Sequence, residues 1–440
     1  MLRKQLPDFF LTVNMQDLRS IPSGNTRMRL VLVSIVVLVL VFGWFAIRLQ
    51  IGSMMADLTK PENPAALPTS EFAMAFAPHD PMATWLRASA ASGENAESDT
   101  VTYLESTVRL SPYDYRWRIE LGRAYESVGD GERAEAELKR AVELAPNYAF
   151  AHWNLGNFYL RQGRSEDAFA ELRRAAQNNQ TYREQVFSIA WDYFDKDPTK
   201  VEQLAADTPE ARASLALFFA ARGRAAHSLR IWNTLTDEEK AANPQIAKSI
   251  ALGLFQQRSF AEALEFSRQL GIDPEGRPFT VTNGGFEKGV GQQEDSQFGW
   301  KVTRNDSKLD ISTDSSVRHE GARSLKVSFR NYIKPDLYNL FQTVVVEPNT
   351  FYRLTFWVRT ENLKSSGGPL IEIVNANDDK VFATSKPFDT GSNDWQEYHV
   401  DFHTPQNCTG ITIRTARAFC GDQCPIVGIF WYDEFELNRL

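Results

Sequence analysis

The chain has 440 residues, of which 43% are hydrophobic, so it can bury two or three cores and belongs to the globular class. Its formal net charge at pH 7 is −8, and no concentrated basic stretch follows residue 47. Because binding to a phosphate backbone needs such a stretch, composition and charge argue against nucleic acid as a partner.

Residues 30–47, LVLVSIVVLVLVFGWFAI, form an apolar run of eighteen residues without a charge. As an α-helix this run would be about 27 Å long, close to the thickness of a hydrocarbon core. It is longer than the apolar part of a typical cleaved signal peptide, and no small-residue cleavage site follows it directly. We therefore predict an uncleaved transmembrane anchor over residues 30–52, with a cleaved signal peptide as the alternative.

The two flanks of the predicted anchor differ in charge. Residues 1–29 carry five basic and two acidic side chains, a net charge of +3, whereas residues 48–67 have a net charge of zero. Because the positive flank of a membrane span stays inside, residues 1–29 are predicted to be a cytoplasmic tail. The bulk of the chain is then periplasmic or extracellular. Recurrent prolines interrupt helices after the anchor, so residues 53–80 are predicted to form a Pro-rich stalk.

Two consecutive segments repeat each other at a spacing of 34 residues. They are IELGRAYESVGDGERAEAELKRAVELAP, residues 119–146, and WNLGNFYLRQGRSEDAFAELRRAAQNNQ, residues 153–180. Gly122 recurs where paired helices would approach closely, and Gly129 recurs where the chain would turn. This pattern resembles the tetratricopeptide repeat (TPR). Weaker matches on both sides extend the predicted α-helical solenoid to residues 81–272.

The resemblance to the TPR family implies a concave groove that is built from the first helix of each repeat. Such a groove usually holds a peptide or a partner protein. The family's groove positions that we single out are Trp153, Asn157, Phe187 and Trp191. So many aromatic side chains suit an apolar segment of a partner better than a charged tail. The alternative is that these aromatics pack beneath a neighbouring repeat.

From residue 279 onwards, the hydrophobic pattern changes to a period of two. The segment FYRLTFWVRTEN places Tyr352, Leu354 and Phe356 on one strand face and Trp357 and Arg359 on the other. Similar short segments follow up to the end of the chain and predict an antiparallel β-sandwich. The predicted fold class is therefore multidomain α plus β, with a single transmembrane helix, an α-helical TPR solenoid and a C-terminal antiparallel β-sandwich of the jelly-roll type.

The segments NGGFE, HEGARSLKV, FQTVVVEPNTFYRLTFWVR, WQEYHVDFHTP and FWYDEFEL occur in this order over residues 279–440. They resemble the carbohydrate-binding modules of families four and nine, which are galactose-binding-like jelly rolls. The resemblance implies glycan binding, for which an aromatic ring stacks on the sugar and planar polar groups hold its hydroxyls.

The strand alternation offers five side chains as carbohydrate-binding candidates, and these are Trp357, Arg359, Gln342, Glu372 and Arg414. Alternatively, a loop covers Trp357, and the charged side chains form a solvated outer face.

The same resemblance implies a structural calcium ion held by Glu287 and Asp433 together with carbonyl groups of a loop such as 318–322. The alternative is that both carboxylates pair with arginine or with backbone N–H groups. No other cofactor is implied.

The three cysteines, Cys408, Cys420 and Cys424, all fall in the last domain, which fits an exported protein. A strand-like run separates Cys408 from Cys420 by about 30 Å, far beyond the roughly 7 Å between Cα atoms that a bridge allows. We therefore predict a disulfide between Cys420 and Cys424. Cys408 is then expected to be a small buried side chain.

The sequence contains no G-x-S-x-G, H-E-x-x-H, P-loop or dinucleotide-binding motif, so we do not expect an enzyme. Our hypothesis is a membrane-anchored, exported scaffold whose groove binds a protein partner and whose sandwich binds glycan, in envelope or exopolysaccharide assembly or export. One alternative is a purely structural assembly protein whose sandwich packs against another subunit. Another is an accessory subunit of a glycan-processing enzyme.

Overall fold

The fold is known from a computed structural model of the chain. It describes residues 26–91, 96–177, 179–205, 208–291, 296–303, 306–421 and 424–440. Most of the predicted cytoplasmic tail, up to residue 25, lies outside the described residues. The chain forms two compact units, Met1–Glu171 and Leu172–Leu440. As predicted, helices are followed by an antiparallel β-sandwich.

Helix α1 (Thr26–Leu58) contains the whole apolar run and continues beyond it. Its most apolar window has none of its residues buried, and its length and composition suffice to cross a membrane. The large apolar side chains of this window would be stable in lipid and costly in water. The helix is therefore consistent with a membrane anchor or a signal sequence.

The end of α1 and helix α2 (Ala66–Phe76) occupy most of the segment that was predicted to be a stalk, and helix α3 (Pro81–Ser89) begins directly after it. Ala66 and Ala73 of α2 are buried in one small cluster with Ala56 of α1, so the segment folds back onto the first helix. Pro68 lies in the first turn of α2, and α3 begins at its proline. The first N–H groups of a helix have no partner within it, so proline is tolerated there and these helices form.

The remaining helices follow in pairs that are separated by short turns. They are α4 (Ala96–Leu110), α5 (Tyr115–Ser127), α6 (Gly131–Leu144), α7 (Ala149–Arg161), α8 (Ser165–Gln177), α9 (Gln180–Tyr193), α10 (Pro198–Ala205), α11 (Pro209–Ala220), α12 (Ala225–Trp232), α13 (Asp237–Ala241), α14 (Pro244–Gln256) and α15 (Phe260–Gln269). A Cβ atom on Gly122 of α5 would lie 2.7 Å from the Leu138 side chain of α6, so the close pairing requires glycine there. Gly129 turns the chain between these helices with a φ of 81°.

A hydrogen-bonded tyrosine joins successive helices of the repeats. The Tyr125 hydroxyl donates to Glu105 Oε1 at 2.7 Å, and the Arg133 guanidinium lies 4.5 Å from the centre of the Tyr125 ring. One repeat later, Tyr159 donates to Glu135 Oε1 at 3.1 Å. Burial and Glu105 raise the pKa of Tyr125 to about 12. Tyr125 therefore links three consecutive helices, because it lies on α5 and contacts both α4 and α6.

The sandwich has two five-stranded sheets in which each described strand pair is antiparallel. The strands are β1 (Lys301–Val302), β2 (Leu309–Asp314), β3 (Ser324–Tyr332), β4 (Leu340–Val345), β5 (Phe351–Lys364), β6 (Pro369–Asn375), β7 (Lys380–Thr384), β8 (Gly391–His403), β9 (Gly410–Arg417) and β10 (Ile426–Arg439). Sheet A has the order β1-β4-β9-β6-β7, and sheet B has the order β2-β3-β10-β5-β8.

The inner faces of both sheets share one hydrophobic core. Tyr352, Leu354 and Phe356 of β5 are buried in it, as their alternation predicts. The Phe356 ring stacks on that of Phe435 from β10, with centroids 4.9 Å apart. The outer faces of sheets A and B therefore lie on opposite sides of the sandwich.

Helix α15 and the turn before it pack against one end of sheet A, within the unit Leu172–Leu440. A Cβ atom on Gly410 of β9 would lie 2.6 Å from the Phe260 ring, so the helix requires a glycine in the strand. Arg258, between the two helices, donates to the Ala376 carbonyl at 2.6 Å and pairs with Asp379 at 2.7 Å. This end of the outer face is thus in contact with α15 and with the turn that precedes it.

Candidate functional site

One row of paired residues crosses all five strands of sheet A. Each residue of the row is the cross-strand partner of the next, and in order across the sheet they are Lys301, Phe341, Arg414, Glu372 and Thr384. Paired residues of an antiparallel sheet point to the same face. Because Ile413 and Ile373, adjacent to Arg414 and Glu372, face the core, this row points outwards. We call these five residues together with Tyr338 the sheet A strip.

An ion pair and an aromatic ring lie at the centre of the sheet A strip. Arg414 Nη2 is 2.7 Å from Glu372 Oε2, and the two side chains are 23% and 16% exposed. The Arg414 guanidinium carbon lies 3.8 Å from the centre of the Tyr338 ring, which is itself 41% exposed. The pairing and the ring hold the guanidinium in a fixed orientation before any ligand arrives.

The chemistry of the sheet A strip suits an uncharged, hydroxyl-rich ligand. A guanidinium donates and a carboxylate accepts hydrogen bonds, so together they can bind neighbouring hydroxyl groups. The Tyr338 ring and the half-buried Phe341 add apolar surface beside them. The charges of Arg414 and Glu372 offset each other, so the centre of the strip has no net charge.

Gln342 does not face outwards, so its prediction as a sugar-binding residue is wrong. It pairs with Ile413, is fully buried, donates from Nε2 to the Thr282 carbonyl at 2.8 Å and accepts from the Thr282 N–H at 3.0 Å. Because β4 is almost entirely buried on both faces, its run LFQTVV does not reveal which residues face the core.

Trp357 and Arg359 lie on the outer face of sheet B, on the other side of the sandwich. The His319 imidazole lies over the Trp357 indole with ring centroids 3.9 Å apart, and Trp357 is half-buried. Arg359 lies 3.7 Å from Asp394. A loop therefore covers Trp357, as the alternative interpretation of the sequence has it, and the five predicted sugar-binding residues do not form one site.

Glu287 and Asp433 both accept hydrogen bonds from the backbone of the loop that covers Trp357. Asp433 accepts from the His319 N–H at 2.9 Å, and Glu287 accepts from the Ala322 N–H at 2.9 Å. Asp433 is almost fully buried, and this burial raises its pKa despite three backbone hydrogen bonds.

Calcium would require oxygen ligands from this loop, whereas the backbone groups that face the carboxylates are N–H donors. Among the described residues, no three His, Cys, Asp or Glu side chains are grouped to hold a metal ion. Hydrogen bonds to the loop thus satisfy both carboxylates, which is the alternative to the calcium site, and the calcium ion stays a prediction.

Two of the four predicted groove residues are core residues of the unit Leu172–Leu440. Phe187 and Trp191 of α9 are 2% and 7% exposed. Their rings meet those of Phe218 and Phe219 in α11 at centroid distances of 5.6 Å and 6.0 Å. The prediction that they line an open groove is therefore wrong. The apolar run LALFF of α11, which needs a partner helix, is the signal that could have revealed this.

Trp153 and Asn157 lie on α7 in the unit Met1–Glu171, and both are half-buried. The Asn157 side chain donates from Nδ2 to the Trp153 carbonyl at 2.8 Å, one turn earlier in the same helix. These two residues stay candidates for partner binding.

Cys420 and Cys424 are joined by a disulfide in the structure, with Cα atoms 5.7 Å apart. The buried Arg417 guanidinium lies beside it, with Nη2 3.0 Å from Cys424 Sγ. Cys408 is fully buried, and burial raises its pKa to about 12. A thiol that stays protonated and inaccessible is unreactive.

Sequence reasoning missed a cavity of about 430 Å³ at the start of the sandwich. Asn283, Lys288, Trp300 and Lys301 are among its lining residues. Lys301 also begins the sheet A strip, so the cavity adjoins it. The NGGFE segment lies at this cavity, but nothing in its residue types indicates an opening.

Family comparisons match two parts of the chain. Residues 280–416 match the carbohydrate binding domain of the CBM 4/9 type, and residues 127–189 match the tetratricopeptide repeat. The chain therefore contains a TPR region and a C-terminal carbohydrate-binding domain.

Among curated proteins, the tRNA(Glu)-specific nuclease WapA of Bacillus subtilis subsp. natto (strain BEST195) is 25% identical over 156 residues. This match covers 34% of the present chain but spans only 7% of WapA. Among solved structures, a CBM4 structure is 11% identical, covering 36% of this chain and 99% of that one at a TM-score of 0.28. A MamA AMB-1 structure is 22% identical, covering 26% of this chain and 66% of that one at a TM-score of 0.23.

Proposed function

For a chain with a TPR region at residues 127–189 and a carbohydrate-binding domain at residues 280–416, we propose a membrane-anchored, non-catalytic scaffold. Helix α1 anchors the chain with its N-terminus in the cytoplasm, and the rest is exported. The helical repeats bind a protein partner, and the sandwich binds glycan. This scaffold acts in the assembly or export of envelope polysaccharide or exopolysaccharide.

The sheet A strip is the observation that carries the glycan part of the proposal. It combines an exposed aromatic ring, that of Tyr338, with the paired planar groups of Arg414 and Glu372. Sheet B is the weaker candidate because His319 lies over its outward tryptophan, Trp357. A bound sugar chain would lie across the strands of sheet A along the strip.

The test is binding of the purified full chain in detergent to a panel of polysaccharides. A few stacked rings and hydrogen bonds give weak binding, with a Kd on the order of 10 μM to 1 mM, so the assay has to detect low affinity. We expect the Arg414→Ala substitution to abolish retention. Arg353→Ala is the matched control, because Arg353 pairs with Asp401 at 2.6 Å on the outer face of sheet B.

Equal loss in both variants, or retention unchanged in Arg414→Ala, would contradict the sheet A strip as the glycan site. If no polysaccharide is retained at all, the glycan part of the proposal fails and the purely structural assembly role becomes the better candidate. The packing of α15 on sheet A favours this second candidate function, because the same sheet already buries part of its outer face against a helix of its own chain.

The accessory-subunit hypothesis differs only in what the repeats bind. Identification of the proteins that co-purify with the full chain from membranes distinguishes the two. A glycan-processing enzyme among them favours an accessory subunit, and export or assembly components alone favour the scaffold.

A further inference from the structure

Helix α2 returns along α1 towards the apolar run. Its first residue, Ala66, is buried in one cluster with Ala56 near the end of α1. Its last residues reach an earlier point of α1, because a Cβ atom on Gly52 would lie 2.8 Å from that of Ala77. The two helices therefore form a hairpin whose open end faces the predicted membrane span.

The end of α2 lies level with the first charge after the apolar run. That charge is Arg48, whose guanidinium donates to the Ala75 carbonyl and lies 5.5 Å from the centre of the Phe76 ring. A long cationic side chain at the end of a span normally extends towards the headgroups. By this rule Arg48 would lie at the membrane boundary, and Phe76, which contacts it, would lie at the same depth.

The surface of α2 at this boundary is apolar and aromatic. Phe72 stacks on Phe76 with ring centroids 4.1 Å apart, and Phe72 is 41% exposed. Glu71 is the single charged residue in the helix sequence ALPTSEFAMAF. Aromatic rings of this kind are stabilised at the boundary between lipid and water.

We propose that the last turn of α2, with Phe72 and Phe76, inserts into the headgroup region of the membrane on the exported side. Together with Arg48 it forms a second contact with the lipid beside the span. A span alone leaves the exported part free to tilt and rotate at the end of α1. The second contact fixes its orientation relative to the membrane surface. This inference rests on the proposed membrane anchoring.

The test is the full chain reconstituted in vesicles of phosphatidylcholine and phosphatidylglycerol, with a polarity-sensitive fluorophore on a single introduced cysteine. Ala75→Cys reports on the end of α2, because Ala75 is exposed and lies three residues after Phe72, on its helix face. Val37→Cys reports on the span, and Tyr113→Cys, 79% exposed between α4 and α5, reports on water. The native cysteines are buried or bridged and do not interfere.

We expect the label at position 75 to shift to shorter emission wavelength and to be quenched by nitroxide-labelled headgroups. The label at position 37 should be quenched by nitroxides deep in the acyl chains, and the label at position 113 by neither. Adding Phe72→Ser to Ala75→Cys should reverse most of the shift at unchanged helix content.

If the label at position 75 behaves like the one at 113 while the label at 37 is in lipid, the insertion of α2 is wrong. The proposed membrane anchoring is then unaffected. If the label at 37 is in water as well, the proposed membrane anchoring fails too.

Discussion

The imidazole of His319 lies parallel to the indole of Trp357, with ring centroids 3.9 Å apart and an angle of 17° between the rings. Trp395 completes the arrangement, with its ring edge-on to His319 at 5.6 Å. The loop that carries His319 is bound at its backbone by Asp433 and Glu287. The outward tryptophan of sheet B therefore has one ring face covered by a loop of the sandwich, which it helps to position.

Trp357→Ala should destabilise the sandwich without changing glycan binding. The substitution removes a half-buried ring and the stack on His319, for which we expect a loss of about 1–3 kcal/mol in the free energy of unfolding. Thermal melting and polysaccharide retention of the full chain measure the two effects separately. If polysaccharide retention is lost while the melting temperature is unchanged, Trp357 is a sugar-binding residue.

The loop should depend on its carboxylates and not on calcium. Asp433→Ala leaves the N–H groups of His319 and Glu434 without this acceptor, at a cost of about 1 kcal/mol for each of these partly buried donors. We expect a lower melting temperature for this variant, and the same melting temperature for the native chain in calcium and in a chelator. A rise with calcium that Asp433→Ala abolishes would instead establish the metal site.

The acid stability of sheet B should depend on Asp314. Burial alone would raise its pKa, but hydrogen bonds from Ser316 and Trp431 and the charge of Lys326 lower it to about 2. A carboxylate whose pKa is lower in the folded state stabilises the fold above its ordinary value of 3.8, and this contribution is lost as the pH falls towards 2. Asp314→Asn should therefore be less stable at pH 6 but lose less stability between pH 4 and pH 2.

Denaturant unfolding of the native chain and of Asp314→Asn at several pH values measures this difference. Asp310→Asn, on the same strand, serves as the control. The assignment is wrong if the difference in unfolding free energy between the native chain and Asp314→Asn is the same at pH 6 and pH 2.

The fold could be predicted because its signals are local. The repetition of Gly122 and Tyr125 at 34 residues reflects a contact between paired helices, and that contact recurs wherever the repeat does. The alternation around Phe356 likewise reflects a single strand with one buried face. Such patterns need no knowledge of the rest of the chain.

The site could be predicted only in part, because it depends on contacts between distant segments. Alternation placed Arg414 and Glu372 on the outer face, where they pair, but Tyr338 beside them lies in no strand and gave no periodic signal. Trp357 has the right alternation and is nevertheless covered, since His319 comes from a loop 38 residues earlier. Alternation tells which side of a strand a residue faces, but not what lies over that side.

The two tryptophans that were singled out for the TPR groove should respond differently to truncation. Trp191 is buried against Phe219 of α11, so Trp191→Ala should cost about 3–5 kcal/mol and reduce the helical circular dichroism signal at moderate temperature. Trp153 is half-buried, so Trp153→Ala should cost less and leave the helix content largely intact. If the repeats bind their partner through α7, this variant alone should release it in a pull-down from membranes while still melting cooperatively. A partner that stays bound to the folded Trp153→Ala protein would show that α7 does not provide the binding surface.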